Sequence, residues 1–285
     1  KDFGFNVAFN MSAIKNKMTE LDGDVSYIGL PTSVIHSLNF DQEVSRSAIG
    51  QPIGSFYAYK EDGLFQSEAE IKSYTNNKGE LLQPNAKPGD IKFVDVNGDG
   101  VIDGNDRDYI GNPLPDVTAG LTLGVNFHNF DLSLFFQGMF GNDVYDLTSY
   151  VGDFYNQSQY NKNSRVVNAW TPTNTNTDIP RVTMDDPNNN IRPSSYYVQD
   201  ASFVRLKNMK IGYSVPQSIL SKIKFNSLYI YAQATNLFTI TGYDGIDPEV
   251  GLQSYSSDYR NLDMGVDRGI YPLSRTFTFG VNVSF

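Results

Sequence analysis

The chain alternates apolar and polar residues with a period of two, over stretches of about ten residues that recur along its length. That period belongs to strands with two unlike faces. Nearest the end, Phe277, Phe279, Val281, Val283 and Phe285 share one face, and Thr276, Thr278, Gly280, Asn282 and Ser284 the other. The pattern also runs from Ala119 to Phe127 and, after only His128-Asn129, from Phe130 to Phe136, which predicts a two-residue hairpin. Leu228 to Thr235 repeats it, as do Phe3, Phe5, Val7, Phe9 and Met11 against Gly4, Asn6, Ala8 and Asn10. Less regular strands are expected over Gly54 to Lys60 and Ser202 to Tyr213. In the second of these Arg205, Lys207 and Lys210 break the alternation and predict a bulge. The expected class is all-β, with about seven strands.

A soluble sheet with one wet face would alternate in the same way. Strand and loop lengths separate the two cases. Each stretch is near the roughly 9 to 11 residues that a tilted strand needs to cross a hydrocarbon layer. The connections alternate short and long, as in outer-membrane barrels with short periplasmic turns and long extracellular loops. With the last strand running inward, residues 239–273, 140–201 and 61–117 become outer loops, and 214–225 and 128–129 inner turns. Residues 16–44 break this order, because parity places that long connection on the periplasmic side. Bacterial barrels have an even strand count, so about seven strands predict more of them upstream. The alternation already present at Phe3 predicts the same. Residues 1–285 are thus expected to be the C-terminal part of a multi-pass β-barrel in the cell outer membrane, with Phe277, Phe279 and Phe285 facing lipid.

Composition closes several other routes. There is no cysteine, which excludes disulfides, thiolate metal sites and cysteine nucleophiles. The net charge of −10, without a basic cluster, argues against nucleic acid as a partner. No run of about 18 apolar residues exists to form a transmembrane helix. His36 and His128 are far apart in the pattern, and no nucleophile motif, phosphate loop or zinc spacing appears, so no enzyme is expected. Asp185-Asp186, beside Pro187 and three asparagines, is expected to be a solvated turn.

One motif carries ligand chemistry. Asp95, Asn97, Asp99, Asp103 and Asp106 occupy positions 1, 3, 5, 9 and 12 of a calcium loop, with Gly100 at 6 and the carbonyl of Val101 at 7. The same residues also suit a turn that binds nothing. The number of matching positions favours Ca2+, at modest affinity, since position 12 is Asp and not Glu. A second feature is aromatic: Tyr145, Tyr150, Phe154, Tyr155, Tyr160 and Trp170 crowd one outer loop. As a group they are candidates to stack on a sugar or peptide, and singly each is better read as packing.

Several segments resemble the SusC-like (SusC/RagA) TonB-dependent outer-membrane transporters. They are Gly50-Gln51-Pro52-Ile53-Gly54-Ser55-Phe56-Tyr57 with Asp62-Gly63-Leu64-Phe65-Gln66, and Lys87-Pro88-Gly89-Asp90-Ile91-Lys92-Phe93 followed by the calcium-type loop and Ile110-Gly111-Asn112-Pro113. Phe130-Asp131-Leu132-Ser133, Asp200 to Asn208, Asn236-Leu237-Phe238 and Asp247-Pro248-Glu249 extend the likeness over nearly the whole chain. The resemblance implies a barrel of the 22-stranded plugged class, with residues 95–106 as an extracellular insertion. It implies import of oligosaccharides or peptides with energy from TonB, and a SusD-like surface lipoprotein as lid. The TonB box and plug domain that couple the energy are not in this sequence. A non-transporting outer-membrane receptor or adhesin is the alternative, and a soluble calcium-stiffened β-domain a third.

Overall fold

The computed structural model describes residues 3–29, 42–155, 161–251, 262 and 264–285. Six long strands form one antiparallel sheet in chain order: β1 (Phe3–Ala13), β2 (Val117–Phe127), β3 (Phe130–Phe140), β4 (Phe203–Ser214), β5 (Ser227–Thr235) and β6 (Thr276–Ser284). Register turns the sequence alternation into continuous rows. Phe3, Phe127, Phe130, Tyr213, Ile230 and Val281 lie side by side across all six strands, beside the short turns. The next rows are Phe5, Val125, Leu132, Ile211, Ala232, Phe279 and then Val7, Leu123, Leu134, Met209, Ala234, Phe277. This face is uncovered: Phe5 is 72% exposed and Phe279 81%. The other face carries Asn6, Thr122, Ser133, Lys210, Gln233 and Thr278. A soluble sheet would bury its apolar side against a second layer. Here that side is open along the whole sheet, as on the lipid face of a transmembrane barrel wall.

The hairpin at His128-Asn129 forms as expected, with His128 at φ 51° and its ring against Phe127. The bulge in β4 is present too. Leu206 pairs with Phe136 and Asn208 with Phe135, which leaves Lys207 as the extra residue. Opposite it, Asn236 ends β5 in the left-handed region (φ 51°), which asparagine tolerates better than most residues. The short strand Thr239–Thr241 then resumes pairing with Phe203–Arg205.

Two expectations need correction. The stretch Gly54 to Lys60 is a strand over Ser55–Tyr59, yet it is no part of the wall. It belongs to a four-stranded sheet with Tyr27–Gly29, Ser45–Ala48 and Arg107–Gly111. Its Phe56 and Ala58 are fully buried, so it needs the alternation of a cap core and not that of a lipid face. Removing it from the wall settles the parity conflict, because residues 14–116 become one excursion on the same end as 141–202 and 236–275. The connections at the other end are 128–129 and 215–226, the latter holding a helix, Gln217–Ile223.

The excursions are not separate irregular loops. Phe56, Leu64, Ile91 and Phe93 from the first, Tyr145, Leu147, Tyr150, Phe154, Trp170, Ile191 and Tyr197 from the second, and Leu262 and Val266 from the third share one core. Each large side chain buried there contributes about 1.5–3 kcal/mol. Val266-Asp267 pairs in parallel with Tyr145-Asp146, so the third excursion is sewn to the second by backbone as well.

The Lys87-Pro88-Gly89-Asp90 segment joins the first excursion to the second. Gly89 sits at φ 88° under the Trp170 ring, where any side chain would collide, and its carbonyl accepts Arg181 N–H at 2.8 Å. Asp90, fully buried, pairs with the Arg181 guanidinium, which donates to it from a terminal nitrogen at 3.2 Å, and accepts Asn190 Nδ2 at 2.9 Å. Asn190 Oδ1 in turn accepts the Ile91 amide at 2.8 Å, and Gln83 reaches Asn188 at 2.8 Å. The stretch around Asp185-Asp186 is therefore not a solvated turn. Asp185 is exposed, but Asp186, Asn188 and Asn190 are buried, and Asp186 holds the amides of Asn190 and Ile191.

Candidate functional site

At one end of the wall, the three excursions line a half-open cleft of about 900 Å³. The first contributes Glu61, Asp62 and Gln66, the second Arg165, Asp178, Tyr196, Gln199 and Asp200, and the third Asp244. A second hollow of about 600 Å³ shares Arg165 and Asp244 and adds Asp146, Thr148, Ser149, Ile246 and Asp267.

Arg165 organises the floor. Its Nε lies 3.1 Å from both oxygens of Asp153, and a terminal nitrogen donates to Ser149 Oγ at 2.9 Å. Tyr196 Oη donates to Asp153 Oδ2 at 2.8 Å, and Asp244 stands 3.9 Å from the guanidinium. Burial disfavours charge on Arg165, but hydrogen bonding to Asp153 and the charges around it outweigh that and raise its pKa. Burial, then the charge of Asp153, pushes the Tyr196 phenol well above its ordinary value, so it stays a neutral donor. Below the floor, Asp146 accepts hydroxyls from Thr148 and Ser149, each at 2.5 Å, and Asp267 accepts Tyr243 Oη at 2.6 Å. The cleft thus offers fixed carboxylates, amides and a phenol around one engaged guanidinium. Such a surface suits polar ligands rich in hydroxyl or amide groups.

The aromatic candidates part company. Tyr145, Tyr150, Phe154 and Trp170 lie in the shared core, with Tyr145 5.8 Å from Phe56 and 5.5 Å from Tyr197. These four pack. Tyr155 remains 38% exposed, with Lys162 Nζ 5.4 Å above its ring. Tyr160 and His36 lie outside the described residues. Arg165, Tyr196 and Asp244 were not among the candidates, since they carry no motif and only the folding of three distant segments brings them together.

The calcium-type loop closes on itself. Asp106 is fully buried, and its carboxylate accepts the amides of Val96 (2.9 Å), Asn97 (3.3 Å) and Asp103 (2.7 Å). Asp95 accepts those of Gly98 and Gly100, Asn97 that of Asp99, Asp99 that of Val101, and Asp103 that of Asn105. The donors of the motif are all present, with their oxygens turned to loop amides. Among the described residues no group of three or more His, Cys, Asp or Glu side chains is placed to hold a metal ion.

No family model matches the chain. It is 37% identical over its whole length to TonB-dependent receptor P3 of Formosa agariphila, and 27% identical to TonB-dependent receptor SusC of Bacteroides thetaiotaomicron, again over its whole length. It spans about a quarter of these relatives, 27% and 25% of their lengths. Among solved structures, the RagAB peptide transporter superposes on the whole chain with a TM-score of 0.70 at 22% identity, and the "closed-closed" state of the RagAB peptide importer with 0.70 at 24%. These matches cover 27% and 28% of the solved chains and speak for the fold. Together with an open apolar face, a polar face and excursions gathered at one end, they place the chain in the family of SusC-like TonB-dependent receptors, as a stretch of the barrel and its outer cap.

Proposed function

We propose that this chain supplies wall and outer surface to a TonB-dependent receptor that imports oligosaccharides or peptides across the outer membrane under a SusD-like lipoprotein lid. The observation that carries the reading is the polar cleft built jointly by three excursions at one end of a lipid-facing wall. A bare anchor has no need of such a shared, hydrogen-bonded concavity. Relatives named as receptors and a fold shared with a peptide transporter support uptake over catalysis.

The test deletes the gene of the intact receptor and offers malto-oligosaccharides or a tryptic peptide pool as sole carbon source. Loss of growth on one pool, restored by the parent gene, is expected. The double variant Glu61→Ala/Asp244→Ala should restore it poorly, with uptake about tenfold lower, the equivalent of one charge-assisted hydrogen bond. Unimpaired growth of the deletion on both pools, with surface attachment lost instead, would sink the proposal in favour of an adhesin.

Calcium is proposed for residues 95–106 on the spacing of its donors, not on their present arrangement. Calcium raising the melting temperature of the intact receptor, and Asp99→Asn abolishing the rise, is the expected result.

A further inference from the structure

Neither the phase break at Lys207 nor the Asp247-Pro248-Glu249 motif is used by the function proposed above. We propose that Arg205 is a positioning residue for the outer cleft, carried to the polar side of the wall by the bulge and holding the third excursion through Asp247. Counting by twos from Tyr213 along β4 gives Ile211, Met209, Lys207 and Arg205, so an unbroken strand would aim two cations at the apolar face. The extra residue at Lys207 shifts the count by one. Leu206 and Val204 then continue the apolar rows opposite Phe136 and Gly138, and Arg205 turns to the polar side.

There the Arg205 side chain is 3% exposed and held on three sides. Its nitrogens donate to Thr239 Oγ1 at 2.7 Å, Asp247 Oδ1 at 2.5 Å and Glu249 Oε2 at 2.9 Å, and Lys207 Nζ joins Glu249 at 2.7 Å. A buried guanidinium persists only with partners of this kind, and its rigid fork fixes where they stand. Asp247 passes the constraint on. It also accepts the amides of Glu249 at 2.9 Å and Leu273 at 3.1 Å, which ties together two distant parts of the excursion. Asp244, Gly245 and Ile246 come just before it and form a side of the second hollow, with Asp244 shared by the first. The register of a wall strand therefore sets the position of one side of the cleft.

The inference rests on the reading of the cleft as the ligand site, and the experiment keeps the two apart. This chain has no cysteine. With any cysteines elsewhere replaced, Ile246→Cys, at a residue 63% exposed, gives a single spin-label site in the intact receptor. Arg205→Gln and Asp247→Ala should each mobilise the label, their combination should add nothing further, and Arg205→Lys should lie between, while heat-modifiable gel migration still reports a folded barrel. Asp247→Ala lies outside the wall and serves if Arg205→Gln fails to assemble. An unchanged spectrum in folded Asp247→Ala receptor overturns the proposal. The same receptors are offered tryptic casein peptides and maltoheptaose, and capture is expected to weaken about tenfold in both variants. A mobile label with undiminished capture overturns the positioning role. Capture of neither probe by the parent overturns the uptake reading alone, and the spectra then decide whether Arg205 holds the third excursion.

Discussion

Asp106 shows how much one buried carboxylate can organise. It holds three amides across a turn whose other acidic side chains each serve a nearer neighbour. Asp106→Asn keeps the shape but turns an amide group toward donors, and should cost about 1–3 kcal/mol of local stability. Faster hydrogen exchange at Val96 and Asp103 is the measurement, and it is expected with or without calcium. Asp247 makes a second prediction at this scale. Burial alone would raise its pKa, but the Glu249 and Leu273 amides and the Arg205 guanidinium hold it below the usual carboxylate range. A depressed carboxylate stabilises the fold above its unfolded pKa of about 3.9, and the gain is lost as pH falls through the lower folded value. With Arg205 the charged group bonded to it, itself shared with the Glu249–Lys207 pair, the Ile246 label should stay immobile at neutral pH and loosen only below about pH 4.

The wall strands were legible because their chemistry is one-dimensional: a lipid face and a wet face impose the period of two residue by residue, and register follows from the hairpin at His128-Asn129. The bulge was legible for the same reason, as a phase error that only an extra residue repairs. Deleting Lys207 should remove the bulge without exchanging the faces, because Leu206 then stands two positions from Met209 and Arg205 stays on the polar side. Retention of the heat-stable folded band on gels would register it. Ser55–Tyr59 was misread because a short strand buried in a cap alternates much as a wall strand does. The conflict over residues 16–44 was its trace. The cleft was hidden more deeply, since Glu61, Arg165, Tyr196 and Asp244 meet only after three excursions have packed together. The aromatic cluster of the second excursion was visible in sequence, but whether a ring packs or binds depends on what lies above it.

In the whole molecule, the wall and the cap divide the labour. Six strands present an apolar face and a polar one, and among the described residues the three excursions at one end share a main core. Trp170 sits at the seam, with its indole N–H on Gln66 at 2.9 Å and its ring over Gly89. Trp170→Ala should cost about 3–5 kcal/mol. Because the core is shared, limited proteolysis should then cut the first and second excursions together, while the wall stays intact. A core held in common has an evolutionary consequence. Ligand preference cannot be traded between relatives by grafting one excursion onto another barrel, because the grafted piece would arrive without the part of its interior that the other two supply. Preferences of such receptors should be inherited in blocks, with all three segments changing partners at once.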